Sequence, residues 1–264
     1  MAFDLHTWTA LTYLAATAVA AVAMAGQMHR GVDAGVGLLG FGAALHVVAI
    51  WRLHSMDPVP RLTDLPFAVS LMGLLAVTFY LGLLFFVRGR GLVVAVAPLA
   101  FLGEIFASFG LDSVSDAADA AHPVWSHLHV LLASAGLAVL GLAGASGLLY
   151  LVRDRQLKAK RRTVPHSELP SLEALDRMNA IALALGFLLL TAGLGTGILW
   201  INARTGGFWP GGWHASATLV AWVTYASIVA VRFGHPRSAR SAAAGAAAAF
   251  AILVVAVIGA QVFA

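Results

Sequence analysis

Histidines are the residues of this chain whose chemistry is most informative. The chain has 10 histidines and no cysteine, which excludes disulfides, thiolate metal sites, cysteine-ligated iron–sulfur clusters and thiol nucleophiles. Any metal would have to bind imidazole, thioether or carboxylate groups. A neutral imidazole is a good ligand for iron or copper, but it also forms hydrogen bonds between helices, and both interpretations stand at this point.

Two histidines in different apolar segments lie at matching depths. His46 lies eight residues before His54, which is about 12 Å along a helix, and His129 lies about 9 Å beyond Pro123, the start of its own segment. His127 and His129 are roughly 200° apart around a helix, so both cannot face one cavity. His46 and His129, a pair from two helices, could hold the iron of a haem between them, and hydrogen bonding between helices explains the same two residues equally well.

Glu104 is the only acidic residue deep within an apolar segment. Ionisable groups inside a bilayer are costly and usually serve a function. One interpretation is a proton relay or a cation-coupling group. Pairing with a serine, threonine or histidine of a neighbouring helix is favoured, because transporters usually place several carboxylates or broken helices at the midplane. No nucleophile or acid–base pair is evident, so we expect no enzymatic activity.

The elements that position these residues are membrane-spanning helices. The composition is 60% hydrophobic and 11% charged, with a mean hydropathy of +0.87, and continuous apolar runs recur along the chain without a soluble domain between them. The pattern predicts an all-α polytopic membrane protein in which residues 1–264 form one helical-bundle domain. Its eight predicted spans are Thr7 to Met28, Ala34 to Leu53, Leu65 to Val87, Leu92 to Leu111, Val124 to Val152, Met178 to Ile201, His214 to Val231 and Ser241 to Phe263.

The basic residues predict how the spans are oriented. The loops after the odd-numbered spans and their flanks hold 13 of the 16 lysines and arginines; the other three are Arg52, Arg61 and Arg204. Because cytoplasmic loops collect lysine and arginine, both termini are predicted to be extracytoplasmic in a multi-pass protein of the cytoplasmic membrane. The basic residues thus report topology, and we expect lipid but no nucleic acid as a partner. The first span, preceded by Asp4 and no basic residue, is expected to remain rather than be cleaved as a signal peptide.

The longest polar connection, Arg153 to Arg177, is predicted to be partly helical. Residues Asp154 to Arg162 are typical of an extension of the fifth span, and a short interfacial helix is expected to begin near Pro170. The small-residue runs Gly141 to Ala145 and Gly193 to Gly197 predict close helix packing rather than a phosphate loop. We interpret the connection as an elbow that anchors topology rather than as a docking site.

Several stretches in order resemble one known family, the cytochrome c assembly proteins. The resemblance covers spans five to eight and is closest to the small eight-helix members, similar to the HemX and YpjD proteins, rather than to the larger CcsA haem-delivery proteins. It rests on LHVLL at 128–132, GLLYLVRDRQLK at 147–158, LPSLEALDRMN at 169–179 and GFLLLTAGLGTG at 186–197.

The resemblance implies haem handling at the outer face of the membrane. Family members hold haem on a tryptophan-rich segment flanked by histidines during its delivery to apocytochrome c, and some carry haem within the membrane. In this chain His129 and His46 match the histidines of the fifth and second spans, and His214 lies near the polar residues that open the seventh. The implied cofactor is haem, of type b, with His46 and His129 as the metal ligands. The residues implied in binding it are His46, His129, His214, Trp209, Trp213, Arg52 and Arg204.

The tryptophan-rich segment departs from the family pattern. Phe208 and Trp209 match its first aromatic residues, but Gly211, Gly212 and Trp213 stand where the motif continues with a second tryptophan, an aspartate and a proline. Two functions remain open. One is a haem-binding protein of cytochrome c maturation or haem transfer, with other maturation or respiratory membrane proteins as partners. The other is a non-haem scaffold or accessory subunit of a respiratory or haem-biosynthesis complex; a small-solute transporter is a distant third.

Overall fold

The protein is helical throughout the part of the chain that its structure describes. A computed structural model describes residues 2–55, 64–110, 123–159, 168–209, 211–234 and 239–262. Seven helices are long and apolar enough to cross a membrane, and Ala239–Ile252 of the eighth forms a shorter apolar helix. These observations confirm an all-α, polytopic membrane fold. The helices are α1 Ala2–Gly26, α2 His29–His54, α3 Leu65–Leu83, α4 Val93–Gly110, α5 Pro123–Lys158, α6 Leu172–Thr205, α7 Gly212–Gly234 and α8 Ala239–Val262.

The two longest helices, α5 and α6, lie on either side of the predicted elbow. α5 continues past the apolar run to Lys158, whose ammonium lies 2.9 Å from Asp154 one turn earlier. Ser171 caps α6: its side chain accepts a hydrogen bond from the backbone N–H of Ala174 at 3.1 Å, as serine does before a first turn. The helical extension of the fifth span is therefore confirmed as far as Lys158, whereas residues 160–162 of the predicted extension lie outside the described part of the chain. The helix start near Pro170 is confirmed, with the interfacial segment continuous with α6.

The helices pack in two groups. α1 packs on α2 and α4, and α3 packs on α4; in the second group α5 packs on α6 and α8, and α7 on α8. Contacts between α3 and α5 join the groups. The α5–α6 interface is especially close, because a Cβ added to Gly193 would lie 2.8 Å from the backbone nitrogen of Ala133. Close packing along the Gly193 to Gly197 run is thus confirmed.

Successive helices run in opposite directions, so that the bundle has two unlike ends. We call the end that contains His6, His46, Glu104 and His129 the histidine rim. The opposite end, the charged rim, holds ion pairs between helices, such as Arg232 with Asp176 at 2.9 Å. Further pairs there are Arg90 with Asp33, His29 with Glu168, and Arg240 with Asp154. Among the described residues, Arg90, Arg232 and Arg240 from the predicted basic side thus lie at this end of the bundle.

Candidate functional site

Four helices bring a compact polar cluster together beneath the histidine rim. His6 of α1, His46 of α2 and Glu104 of α4 are each 0% exposed. His6 Nδ1 lies 2.5 Å from Glu104 Oε1, and His46 Nε2 lies 2.9 Å from Glu104 Oε2. One ligand atom from each of the three side chains lies within 4.8 Å of the other two. We call these three residues the buried triad.

Two hydroxyl groups complete the surroundings of the triad. Ser70 of α3 donates to Glu104 Oε2 at 2.9 Å, and its Oγ lies 2.8 Å from His46 Nε2. The Tyr13 hydroxyl lies 3.1 Å from His46 Nδ1. Both nitrogens of His46 are therefore engaged. His6 Nε2, by contrast, is buried and has no described hydrogen-bond partner.

The favoured interpretation of Glu104 is confirmed, since it pairs with a serine and with histidines of other helices. Its partners His6 and Ser70 were not singled out from the sequence. A depth count of the kind applied to His46 could have found His6, because His6 lies four residues after the start of α1 and Glu104 six residues before the end of α4.

His129 lies in the other group of helices and has a different environment. It is half-buried, and its Nδ1 lies 2.8 Å from the carbonyl oxygen of Gly193 on α6. Because a carbonyl only accepts, Nδ1 must carry the proton, and in the neutral ring Nε2 then carries the lone pair. Gly197 leaves room for the ring: a Cβ added there would lie 2.8 Å from His129 Nδ1. His127 is exposed, so the two neighbouring histidines do face different ways.

An aromatic and a cationic side chain extend the His129 site toward the end of α6. The rings of Trp200 and His129 have centroids 5.9 Å apart at an interplanar angle of 31°. The guanidinium carbon of Arg204 lies 5.4 Å from the Trp200 ring centroid. Sequence reasoning selected Arg204 but missed Trp200, although Trp200 is four residues before Arg204 and so on the same helix face. We call His129, Trp200 and Arg204 the α6 site.

Two of the other predicted binding residues, Arg52 and Trp209, have described side chains, and both lie at or just after helix ends on the histidine rim. Arg52 is exposed in the last turn of α2. Trp209 follows α6 and is 53% exposed. Trp213 and His214 begin α7, but their side chains lie outside the described part of the chain, as does all of Arg61.

The described contacts do not bring His46 and His129 together. The partners of His46 are on α1, α3 and α4, whereas those of His129 are on α6. α2 is likewise not among the main neighbours of α5. A close approach of the second and fifth spans, expected if the two histidines shared a ligand, is therefore not seen among the described helices. Joint ligation of one iron stays a prediction.

The fold and its imidazole groups define a multi-pass membrane protein with histidine-based sites near one rim of a helical bundle. Residues 62–263 match the family described as Cytochrome C assembly protein, and the chain belongs to this family. Two curated relatives, both named Cytochrome c biogenesis protein CcsA, are similar to it. That of Prochlorococcus marinus (strain MIT 9303) is 27% identical over 196 residues, covering 62% of this chain and 61% of the relative. That of Synechococcus sp. (strain CC9902) is 31% identical over 196 residues, with 64% of each chain covered.

The chain thus spans about three fifths of the length of the curated relatives it matches. The predicted family is confirmed. The similarity to the small HemX-like members in particular stays a prediction, since the relatives named here are CcsA proteins.

Proposed function

We propose that this protein binds haem at the histidine rim and handles it for cytochrome c maturation. The observation that carries the proposal is the geometry of His129. Its Nδ1–H donates to the Gly193 carbonyl at 2.8 Å, which fixes the ring and leaves the lone pair on Nε2. Such a second hydrogen bond is typical of histidines that ligate metals. Family membership supports haem as the ligand, because the relatives are named for cytochrome c biogenesis.

The residues around His129 fit a porphyrin. Trp200 and the exposed Trp209 offer flat apolar surfaces near the rim. Arg204 and Arg52, both exposed at helix ends, offer guanidinium groups that suit propionates. The same proposal includes His214 and Trp213 at the start of α7, and haem b as the haem type. Bound haem would supply the iron that His129 ligates and would be the cargo for cytochrome assembly. This chain itself binds and presents that cargo rather than catalysing a reaction.

We further propose that the protein lies in the bacterial cytoplasmic membrane with the histidine rim outward. The loops at the charged rim carry most of the lysines and arginines, which favours a cytoplasmic position for that rim. Both termini are then extracytoplasmic. All 264 residues would act as one transmembrane bundle, with other maturation or respiratory membrane proteins as its partners.

The absorption spectrum of the purified protein tests the proposal. We expect protein from haem-replete cells to show a Soret band that His129→Ala removes. His127→Ala is the matched control, because His127 is exposed two residues away and its loss should leave the band unchanged. A colourless wild-type protein would contradict haem binding and favour the non-haem accessory subunit.

The variant His46→Ala separates the two predicted ligands. If His46 and His129 share one iron, either substitution should remove the Soret band. If the iron is ligated by His129 and not by His46, as the separate environments favour, only His129→Ala should remove it. A band that depends on His46 alone would contradict the assignment to the α6 site.

A further inference from the structure

The buried triad is not used by the proposed haem site, and its composition suggests a chemistry of its own. Two imidazoles and one carboxylate from three helices converge with ligand atoms within 4.8 Å of one another. All three side chains are 0% exposed. Two histidines and a carboxylate at this spacing are a donor set that metal ions use in proteins.

We propose that His6, His46 and Glu104 form a binding site for a divalent first-row transition metal ion. Two histidines and one carboxylate are a donor set that such ions favour, and Zn²⁺ is commonly held by three protein ligands of these types. The ion would lie between His6 Nδ1, His46 Nε2 and the Glu104 carboxylate. This site is distinct from the α6 site, whose ligand is haem iron.

The spacing of the donors suits such an ion after small shifts. In a tetrahedral zinc site, donors about 2.0–2.1 Å from the metal lie roughly 3.3 Å apart. The closest contacts of His6 and His46 with the carboxylate are 2.5 and 2.9 Å. Opening these contacts by a few tenths of an ångström or more would admit the ion. Each histidine already contacts the carboxylate, and the His6 and His46 ligand atoms lie within 4.8 Å of each other.

The surrounding hydroxyls can hold the ligands in either state. Without the ion, His46 Nε2–H faces Glu104, and the Tyr13 hydroxyl donates to His46 Nδ1. With the ion on Nε2, the ring proton is on Nδ1, and the Tyr13 oxygen accepts it across the same 3.1 Å. A hydroxyl can do both, and such outer partners orient metal-ligating histidines.

The charge of the Glu104 carboxylate also favours a bound metal ion. With both imidazoles neutral, an ionised Glu104 would leave a buried negative charge inside the bundle, which is costly unless a cation compensates it. A divalent cation held by the triad would supply that compensation.

Zinc content of the intact protein tests the site. The full chain is produced in zinc-supplemented cells, because a fully buried ion should exchange slowly, and is then dialysed and measured by elemental mass spectrometry. We expect about one Zn²⁺ per wild-type chain. Glu104→Gln and His6→Ala should each lower this content at least roughly tenfold, as loss of a ligand does. Wild-type protein without zinc would overturn the proposal.

Two controls separate the site from other histidines and from haem. His29→Ala removes a histidine that pairs with Glu168 at the charged rim, far along the helix from the triad, so this variant should retain the ion. His129→Ala should lose the Soret band but keep its zinc, so that a failure of the haem proposal can be told apart from a failure of the zinc proposal. Zinc that persists in Glu104→Gln would overturn the assignment.

A spectroscopic measurement covers the case in which the triad variants do not fold. X-ray absorption of zinc-loaded wild-type protein should show scattering from two imidazole rings and from oxygen. A zinc ion with no imidazole, or with one, would contradict the triad as its ligand set.

Discussion

The two helix groups place the same residue type at a similar depth in opposite environments. In α1–α4, His6 and His46 are sealed among protein side chains and share one carboxylate. In α5–α8, His129 is half-buried, donates a hydrogen bond to a backbone carbonyl and has its ring centroid 5.9 Å from that of Trp200. A large planar ligand could approach His129, whereas the side chains of the triad are fully enclosed. Burial, rather than residue type, thus separates the two sites.

Removing the shared carboxylate should give the largest effect on stability. Glu104→Leu leaves both imidazoles and the Ser70 hydroxyl without their acceptor in a fully buried place. We expect a loss of about 2–4 kcal/mol in the free energy of unfolding, because breaking a buried pair leaves its partners unsatisfied. Unfolding of the protein in mixed detergent micelles measures the change.

The control for Glu104→Leu is Asp154→Leu at the charged rim. Asp154 meets Lys158 and Arg240, whose side chains are 59% and 63% exposed. Such ion pairs contribute roughly 0–1 kcal/mol each. Equal losses in the two variants would mean that the buried triad does not differ energetically from an ordinary rim contact.

Periodicity and depth predicted the fold well but the partners of the histidines poorly. The apolar runs were sufficient to predict eight helices, and the basic loops were sufficient to predict that the two rims differ. Both predictions depend only on the local sequence. The pairing of His46 was not predictable from depth alone. Depth placed His46 level with His129, but which helices are adjacent depends on packing, and α2 packs on α1, α3 and α4. Ser70 gave no signal because an isolated serine in an apolar helix is common and inexpensive.

Filling the space beside His129 should give the next largest effect, a loss of stability and of haem affinity. Gly197→Ala would place a methyl group 2.8 Å from His129 Nδ1 and 2.9 Å from its Cε1. The ring would have to leave its bond to Gly193, and overpacking of this kind costs about 1–3 kcal/mol. Haem titration should show affinity lower by roughly tenfold, which corresponds to about 1.4 kcal/mol.

Gly195→Ala is the matched control in the same helix. A Cβ at Gly195 would have nothing within 4 Å, so haem affinity and stability should remain at wild-type values. If Gly195→Ala lowered haem affinity as much as Gly197→Ala does, the steric argument for the His129 pocket would be wrong.

Removing the guanidinium group of Arg204 from the α6 site should have a smaller effect on haem binding. Arg204 lies over Trp200 at 5.4 Å and is exposed, so its contact is worth about 0.5–1 kcal/mol. We expect Arg204→Gln to raise the haem dissociation rate roughly two- to fivefold, with Arg204→Lys close to wild type if charge is what the propionates need. Stopped-flow transfer of haem to apomyoglobin measures this rate. An unchanged rate in Arg204→Gln would remove Arg204 from the haem site.

Tyr13→Phe should have the smallest effect on stability, and it distinguishes a hydrogen-bonded network from a metal site in helices α1–α4. Tyr13→Phe removes only the hydroxyl 3.1 Å from His46 Nδ1, and a hydrogen bond between membrane helices is worth about 0.6 kcal/mol on average. Chelator-treated protein should lose about that much stability. Zinc affinity should fall more, by roughly 10-fold, because the hydroxyl then orients a metal ligand. Parallel unfolding and zinc-binding measurements on this one variant compare the two values. A stability loss without any change in zinc affinity would mean that Tyr13 supports helix packing alone.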